Sequence, residues 1–276
     1  MKFYVLPALA TSLLAFNAAQ AAEFSEELTF DYMSTEVESY SNDLLAAQLT
    51  HYLAPVNTDG GPLAEAAFLA KASAVYVGIG NSSSDFGGGV ESSGTPIGAG
   101  VTFVTPNQPL VLNAEFMRLK EELDSPYSGD FTTKSLTLGA GYYVTDRTLV
   151  ALNYNKIDIT GDLEGDVKSY TLSAKHLADL GDGRALNIES ALIRQSESDD
   201  DANAVAVAAD FYPQPEFSVG AGVSTAIGDA EGTSLNLNAR AFIRDDLSLA
   251  FTWTNNRIDD SDIDSTEFGI SATARF

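Results

Sequence analysis

The sequence predicts an all-β fold, a closed up-and-down transmembrane β-barrel of about 14 antiparallel strands. Residues 268–276 alternate between apolar and small or polar side chains, and this alternation turns one set toward lipid and the other toward a wet interior. Similar alternating segments of about ten residues recur along the chain, separated by short turns. The beginning of the chain has the features of an export signal, which agrees with this architecture.

The export signal consists of the charged start at Met1 and Lys2, the apolar run 5–16 and the small residues Ala19 and Ala21. We expect cleavage after Ala21, so that residues 1–21 form a signal peptide and residues 22–276 form a single outer-membrane barrel domain. The apolar run is shorter than the roughly 20 residues of a transmembrane helix.

The composition agrees with a barrel and excludes several functions. The chain is 45% hydrophobic, yet its mean hydropathy is −0.02, as expected when every second residue of a strand faces lipid. The chain has no cysteine, which removes thiol nucleophiles and thiolate metal sites. Without Lys2, the mature chain has 14 basic and 39 acidic residues, a net charge of −25, which argues against nucleic acid as a partner.

Applied along the chain, the alternation places 14 strands. Their even number puts both termini on one side, which we expect to be the periplasm, with tight turns at 105–109, 145–147, 181–183, 213–216 and 244–246. The predicted strands are 24–33, 43–54, 72–80, 97–104, 110–121, 131–144, 148–159, 167–177, 184–196, 203–212, 217–226, 233–243, 247–258 and 265–276.

Aromatic residues recur beside these tight turns. Such recurrence is typical of an aromatic girdle at one membrane interface. The expected girdle comprises Tyr142, Tyr143, Phe211, Tyr212, Phe217 and Phe242.

The same alternation assigns charged residues to the lumen. The four acids and three bases nearly cancel, so we expect an interior of weak ionic selectivity, and 14 strands should leave a narrow aqueous path. The pore-lumen candidates are Asp31, Glu115, Lys175, Glu189, Asp210, Arg240 and Arg275.

Acidic residues are concentrated where we expect external loops. They allow two interpretations: a pore mouth that concentrates cations, or a solvated rim that limits aggregation or binds divalent ions loosely beside anionic lipopolysaccharide. If the mouth selects, cation preference should be modest and should fade in concentrated salt. The acidic mouth comprises Asp199, Asp200, Asp201, Asp259, Asp260 and Asp262.

The longest expected external loop covers residues 81–95, from Asn81 to Thr95. It is rich in glycine and serine, which predicts flexibility. Two roles stay open for it: a gate that folds into the lumen, or mobile surface.

The sequence contains no recognisable catalytic, cofactor-binding or metal-binding constellation. His51 and His176, the two histidines, fall near strand ends expected at the periplasmic interface. The run Gly87-Gly88-Gly89 lacks the lysine and the strand-to-helix context of a phosphate-binding loop. We therefore expect no enzyme activity and no cofactor.

One segment, residues 61–73, interrupts the alternation. It is alanine-rich and has Pro62 where a first helical turn tolerates proline, which predicts a short helix that caps the barrel base; a plug or a partner-binding element is the alternative. Its beginning, Gly-Pro-Leu-Ala-Glu-Ala-Ala-Phe-Leu at 61–69, resembles the small putative porin (putative general bacterial porin) family of Gram-negative outer membranes.

This resemblance implies an outer-membrane porin that passes water, ions and small hydrophilic solutes by passive diffusion. The aromatic Phe276 resembles the assembly signal that the barrel-assembly machinery reads, so the expected partners are this machinery, outer-membrane lipid and lipopolysaccharide. A non-conducting structural or adhesive barrel and a substrate-specific uptake channel remain alternatives. The sequence predicts neither the solute nor the oligomeric state.

Overall fold

The protein forms a closed barrel of 14 strands, in which each strand pairs antiparallel with its neighbours in sequence and β1 pairs with β14. The computed structural model describes residues 23–38, 40–106, 108–123, 129–161, 164–197, 200–228, 231–244, 246–258 and 263–276. The predicted signal peptide, residues 1–21, lies outside these described residues.

The strands are longer than the sequence predicts at several of their ends, but their number and order agree with the prediction. They are β1 (Glu23–Val37), β2 (Tyr40–Asn57), β3 (Ala74–Asp85), β4 (Glu91–Val104), β5 (Leu110–Leu123), β6 (Gly129–Thr145), β7 (Thr148–Gly161), β8 (Gly165–Gly181), β9 (Arg184–Glu197), β10 (Asp200–Gln214), β11 (Phe217–Gly228), β12 (Gly232–Arg244), β13 (Leu247–Ile258) and β14 (Ile263–Arg275).

The barrel has two ends, which we name by the chain. The terminal end holds the start of β1, the end of β14 and the β2–β3 connection, and the far end holds the β1–β2 and β3–β4 turns.

Outward side chains such as Leu45, Val77 and Leu192 are exposed and apolar. Such a surface requires lipid, because soluble proteins rarely expose a continuous apolar band.

The prediction of a flexible loop at 81–95 is wrong. Residues 82–85 pair with residues 91–94 in the β3–β4 ladder, so only a short turn joins the two strands. Gly87, Gly88 and Gly89 all have positive φ angles, which glycine adopts without steric cost. The glycines therefore make a tight turn, and no chain remains there for a gate.

Part of the acidic mouth that was assigned to external loops lies in a strand. Asp201 lies in β10, because the far end of this strand extends beyond its predicted bound. Of the predicted acidic mouth, Asp200 starts β10, while Asp199, Asp259, Asp260 and Asp262 lie outside the described residues.

The predicted aromatic girdle is only partly right. Tyr142 and Phe211 face outward and are exposed, but their chain neighbours Tyr143 and Tyr212 are buried inside the barrel, where Phe242 joins them. Adjacent residues of a strand point to opposite faces. A pair of consecutive aromatics therefore cannot belong entirely to a girdle.

The β2–β3 connection, which we call the inner segment (residues 58–73), folds into the barrel. It contains a 3-10 turn, Leu63–Glu65, and one short helix, α1 (Ala66–Leu69). The predicted helix is thus in place, although it is shorter than the segment 61–73. Residues 62–68 are buried inside the wall of strands at the terminal end, so the segment covers the base of the barrel from within. Within the described part of the chain, no helix has the length and apolar character that a membrane crossing requires.

Three consecutive inward pairs connect β1 and β14, where the barrel closes. Arg275 Nε lies 2.6 Å from Glu27 Oε2, the Thr29 and Thr273 hydroxyls lie 3.2 Å apart, and Ser271 donates to Asp31. Each pair joins residues directly opposite in the register. Side-chain bonds therefore reinforce the backbone ladder at this seam.

The residue Phe276 extends this seam at the terminal end. Its carbonyl oxygen accepts hydrogen bonds from the backbone N–H of Ser25 (3.0 Å) and Glu26 (2.9 Å), and its side chain is 63% exposed. The backbone atoms thus hold the strand in place, whereas the ring is free for recognition or for the membrane interface.

We therefore expect Phe276→Asp to reduce insertion without preventing the fold. The variant should be exported but should accumulate less of the heat-resistant, fast-migrating form in outer membranes, because an interface aromatic is replaced by a charge. Quantitative gel analysis of membrane fractions measures this, with Phe276→Tyr as the control. Wild-type levels of the Asp variant would show that residue 276 is no assembly signal.

Candidate functional site: the lumen and its inner segment

Much of the inner wall is built from small and uncharged polar side chains. Asn155 Nδ2 donates to Ser135 Oγ (2.8 Å) and Thr137 Oγ1 (2.9 Å) on the neighbouring strand. Gly139 leaves space for the side-chain amides of Asn113 and Asn153, which occupy the position that a Cβ would take. All of these residues are partly exposed, so the wall is polar and accessible to water.

The inner segment contacts two opposite walls of the barrel. Ala66 and Ala67 pack with Phe24, Tyr52 and Val56 of β1 and β2. On its other side, the segment packs against inward residues of β5, β6, β8, β9 and β10: Ala64 and Phe68 belong to a cluster with Val111, Tyr143, Leu177, Ala185 and Tyr212. Because β2 and β9 are separated by half the ring of 14 strands, the segment crosses the lumen.

A buried charge cluster anchors the centre of the segment. Lys175 Nζ on β8 lies 2.8 Å from Glu65 Oε2 of the segment and 3.0 Å from Glu189 Oε1 of β9. Tyr212 donates its hydroxyl to Glu65 Oε1 at 2.9 Å. The side chains of Glu65 and Glu189 are only 5% and 9% exposed, so their charges depend on the single lysine between them.

Asn187 and Asp210 extend this cluster along β9 and β10. Asn187 Nδ2 donates to Glu189 Oε1 (2.8 Å) and to Asp210 Oδ2 (3.1 Å). The lysine also lies over the ring of Phe68, with its Nζ 5.0 Å from the ring centroid. The cluster thus combines an ion pair, hydrogen bonds and a cation–π contact.

Backbone contacts hold both ends of the segment. The Leu63 N–H donates to the carbonyl of Pro215 in the β10–β11 turn (3.0 Å), and the Tyr143 hydroxyl donates to the carbonyl of Phe68 (3.1 Å). Leu63 itself is fully buried. These contacts fix the segment in one position across the terminal end.

Where the chain leaves the lumen, Lys71 contacts Asp146 of the β6–β7 turn at 2.6 Å. The hydrogen bond and the charge of the Lys71 ammonium lower the pKa of the Asp146 carboxyl. Asp146 is almost fully exposed, so this pair adds little to stability.

A second charged group lines the wall around the seam. The Arg275 guanidinium bonds to Glu27 and lies over the ring of Phe24, 4.1 Å from its centroid. On neighbouring strands, Asp31 accepts from Ser271. Arg240 of β12 lies close enough to both Asp31 and Arg275 for its charge to act on them.

The structure therefore brings most of the predicted pore-lumen candidates into two groups. Lys175, Glu189 and Asp210 surround the inner segment, while Asp31, Arg240 and Arg275 lie around the seam. The seventh, Glu115 of β5, lies close enough to Tyr76 of β3 for the two side chains to interact. Tyr76 fits there because Gly100 leaves room for its ring.

Sequence reasoning missed several acids of the same lumen, among them Glu27 and Glu65. Both are buried and both pair with a predicted base. Glu27 has the same parity as Asp31, which was a usable signal. Glu65 had none, because a residue outside the alternation has no assigned face. Glu121 of β5, which accepts from the buried Ser92, and Glu267 of β14, opposite the buried Thr254, are further inward acids. These eight acids oppose three bases, and the expected near balance is lost.

The two histidines face away from the lumen. His51 Nδ1 lies 2.8 Å from Glu26 Oε1, and His176 Nδ1 lies 2.9 Å from Thr148 Oγ1, both on exposed surface. Among the described residues, no group of three or more His, Cys, Asp or Glu side chains could hold a metal ion.

A closed antiparallel barrel with an apolar outer band and a polar inner wall defines an integral outer-membrane β-barrel protein. The chain belongs to the family described as "Putative general bacterial porin", whose model matches residues 1–276. The protein is accordingly located in the outer membrane of a Gram-negative bacterium.

Solved structures share this fold. The chain is similar to the Acinetobacter baumannii outer membrane protein Omp33, with 20% identity, a TM-score of 0.56 and coverage of 93% of this chain and 100% of that one. The CymD monoaromatic hydrocarbon channel has 14% identity and a TM-score of 0.55, with 93% and 90% covered. An outer membrane channel from Pseudomonas putida F1 has 12% identity and a TM-score of 0.51, with 94% and 97% covered. A search of curated proteins finds no match.

Proposed function

We propose that the protein is a passive diffusion channel for water, ions and small hydrophilic solutes, and not an enzyme. The observation that carries this proposal is the inner wall, where partly exposed Asn, Ser and Thr side chains such as Asn153, Thr171 and Asn238 face the lumen on many strands. Such a wall offers weak, exchangeable hydrogen bonds without a fixed binding site, as passive diffusion requires. Membership of a porin family supports the same conclusion.

The inner segment favours a second candidate function, a barrel that does not conduct. The segment crosses the lumen between β1–β2 and β8–β10 and is held by buried contacts. On the channel proposal it is a constriction beside which solutes pass. On the alternative it closes the lumen, and the barrel has a structural or adhesive role.

We further propose the orientation and the domain organisation. Residues 1–21 are removed as a signal peptide, and residues 22–276 insert with the terminal end toward the periplasm, which places the short terminal-end turns on that side. The far end then faces the external medium and the outer leaflet.

The charges of the lumen support a preference for cations. Eight acids against three bases leave an acidic excess on the wall and on the inner segment. The acids of the far end add a screened contribution at the mouth. We therefore propose selection at both places, with the mouth dominating only in dilute salt.

Current measurements on the purified protein in planar bilayers test the channel proposal. Discrete conductance steps that scale with salt concentration are expected. A protein that inserts but shows no steps at any voltage would support the non-conducting alternative. Steps blocked by one solute at micromolar concentration would favour a substrate-specific channel.

The contribution of the mouth can be measured separately. Changing Asp199, Asp200, Asp201, Asp259, Asp260 and Asp262 together to Asn should reduce cation preference in dilute salt and have little effect at 1 M, where the Debye length is about 3 Å. Reversal potentials across a salt gradient measure this, and the same six changes to Glu provide the charge-preserving control. Anion preference in the wild-type channel would contradict the proposal, whereas a cation preference that the Asn changes leave intact would place the filter wholly on the inner wall.

A further inference from the structure

Basic side chains are concentrated on one part of the outer surface, in the far half of strands β5–β9. The chain has only 15 Lys and Arg residues against 39 acids, whereas the outward strand positions of this region carry six bases against four acids, Glu122, Asp130, Asp158 and Asp166. Six of these 15 lie here on outward positions: Arg118, Lys120, Lys134, Lys156, Lys168 and Arg194.

Five of these residues lie at a similar height along the barrel axis. Following hydrogen-bonded partners from Leu28, near the terminal end of β1, leads through Phe116 to Asp201 at the far end of β10. Rows of partners therefore climb toward the far end as strand number rises. Relative to these rows, the bases shift toward the terminal end as strand number rises. Arg118 and Lys134 share one row, Lys156 and Lys168 share the next row toward the terminal end, and Arg194 lies one row further in that direction. The climb of the rows toward the far end and the shift of the bases toward the terminal end cancel. The five bases therefore form a belt around this part of the barrel.

The belt contains like charges directly opposite each other. Arg118 pairs with Lys134 across β5 and β6, and Lys156 pairs with Lys168 across β7 and β8. Such pairs destabilise a sheet unless an anion lies between them. Arg118 and Lys134 are both exposed, and neither belongs to an ion pair among the described residues. Asp158 lies directly opposite Lys134 across β6 and β7, but its carboxylate pairs with Lys156.

The other bases of the belt have carboxylate partners that can exchange. Lys156 lies 2.5 Å from Asp158, Lys168 lies 2.9 Å from Asp166, and Arg194 Nη2 lies 3.1 Å from Asp201. Exposed pairs of this kind contribute little. A doubly charged anion at the belt can therefore compete with them.

Apolar side chains lie directly on the membrane side of the belt. Phe116 and Leu136, two residues before Arg118 and two after Lys134, are exposed outward, as is Tyr170 below Lys168. Tyr154 packs against Tyr170, with ring centroids 5.2 Å apart. The belt thus lies where acyl chains end and headgroups begin.

We propose that this belt, centred on Arg118 and Lys134, is a binding site for the phosphorylated headgroups of outer-leaflet lipopolysaccharide. Phosphate oxygens accept charge-assisted hydrogen bonds from both bases and relieve the repulsion between them, while the acyl chains cover Phe116, Leu136 and Tyr170. The inference rests on the proposed orientation, which places the far end in the outer leaflet, and does not depend on whether the lumen conducts.

Binding of a fluorescent lipopolysaccharide with phosphorylated lipid A to the purified, folded protein in mild detergent tests this site. The double variant R118Q/K134Q should bind about 30-fold more weakly, since each base near a charged lipid surface contributes about 1 kcal/mol. Should this variant not fold, as judged by its heat-modifiable band, K156Q/K168Q should show a weakening in the same direction.

The control R147Q/R184Q removes two positive charges from terminal-end turns and should bind as the wild type does. After removal of the lipid A phosphates, wild type and R118Q/K134Q should bind equally. Unchanged affinity of the folded R118Q/K134Q variant, or displacement of the lipid by millimolar inorganic phosphate alone, would overturn the proposal. Conductance is recorded in parallel, because a variant that loses lipid but keeps its current separates this site from the channel.

Discussion

Replacing residues 62–71 by a Gly-Ser-Gly linker is expected to raise the single-channel conductance several-fold. The linker can close the gap because β2 and β3 already lie side by side there, with Tyr52 opposite Ala74 and the Leu53 N–H bonded to the carbonyl of Ser73 (2.8 Å). The change removes the chain that crosses the lumen but leaves all 14 strands in place. Planar-bilayer recordings and the entry rate of uncharged sugars into proteoliposomes measure the effect.

The matched control for this variant is Ala70→Ser, an exposed position on the same segment. It should leave conductance unchanged. A shortened protein that folds but conducts no better than wild type would mean that the segment does not limit the current.

Lys175→Met is expected to destabilise the barrel by about 3–5 kcal/mol, because it leaves two buried carboxylates without their counter-charge. The lysine side chain is 21% exposed and lies within 3.0 Å of both Glu65 and Glu189. Methionine keeps most of the apolar volume of the lysine side chain, so the loss of stability measures the effect of removing the charge. Urea unfolding of the barrel in detergent, followed by tryptophan fluorescence, measures the change.

The combination of Lys175→Met with Glu65→Gln and Glu189→Gln should recover most of this loss, since all three charges are then removed together. The exposed pair Lys71 and Asp146 provides the comparison: Lys71→Met should change stability little. Equal effects of Lys175→Met and Lys71→Met would show that the buried cluster is not the anchor of the inner segment.

The fold could be predicted because its main determinant is local. Alternation along a strand is visible in any stretch of residues, and turns such as 145–147 and 181–183 are marked by polar or glycine residues. The strand ends at the far end of the barrel were harder to predict, because residues 81–85 and 91–95 are rich in serine and glycine, residue types that also form loops. Their pairing across a glycine turn is decided by hydrogen bonds that single-strand patterns do not reveal.

The site was predicted only in part, for a geometric reason. Parity assigns a face to each strand residue, so Lys175, Glu189 and Asp210 could be placed in the lumen without a structure. Parity also assigns the consecutive residues Tyr142 and Tyr143 to opposite faces of the barrel wall. It does not say where a segment outside the strands goes, and the position of Glu65 depends on partners more than 100 residues later in the chain.

That separation has a consequence for the order in which the protein is built. Tyr212 and Glu65, joined by a hydrogen bond, are 147 positions apart, and the Pro215 carbonyl that accepts from Leu63 lies later still. Until β8, β9 and β10 are in place, the Glu65 carboxylate has no lysine and no tyrosine to meet. The crossing of the lumen therefore requires both walls: the inner segment gains its contacts only where the wall opposite β2 stands across from β1 and β2, so the constriction forms together with the closed barrel and not before it.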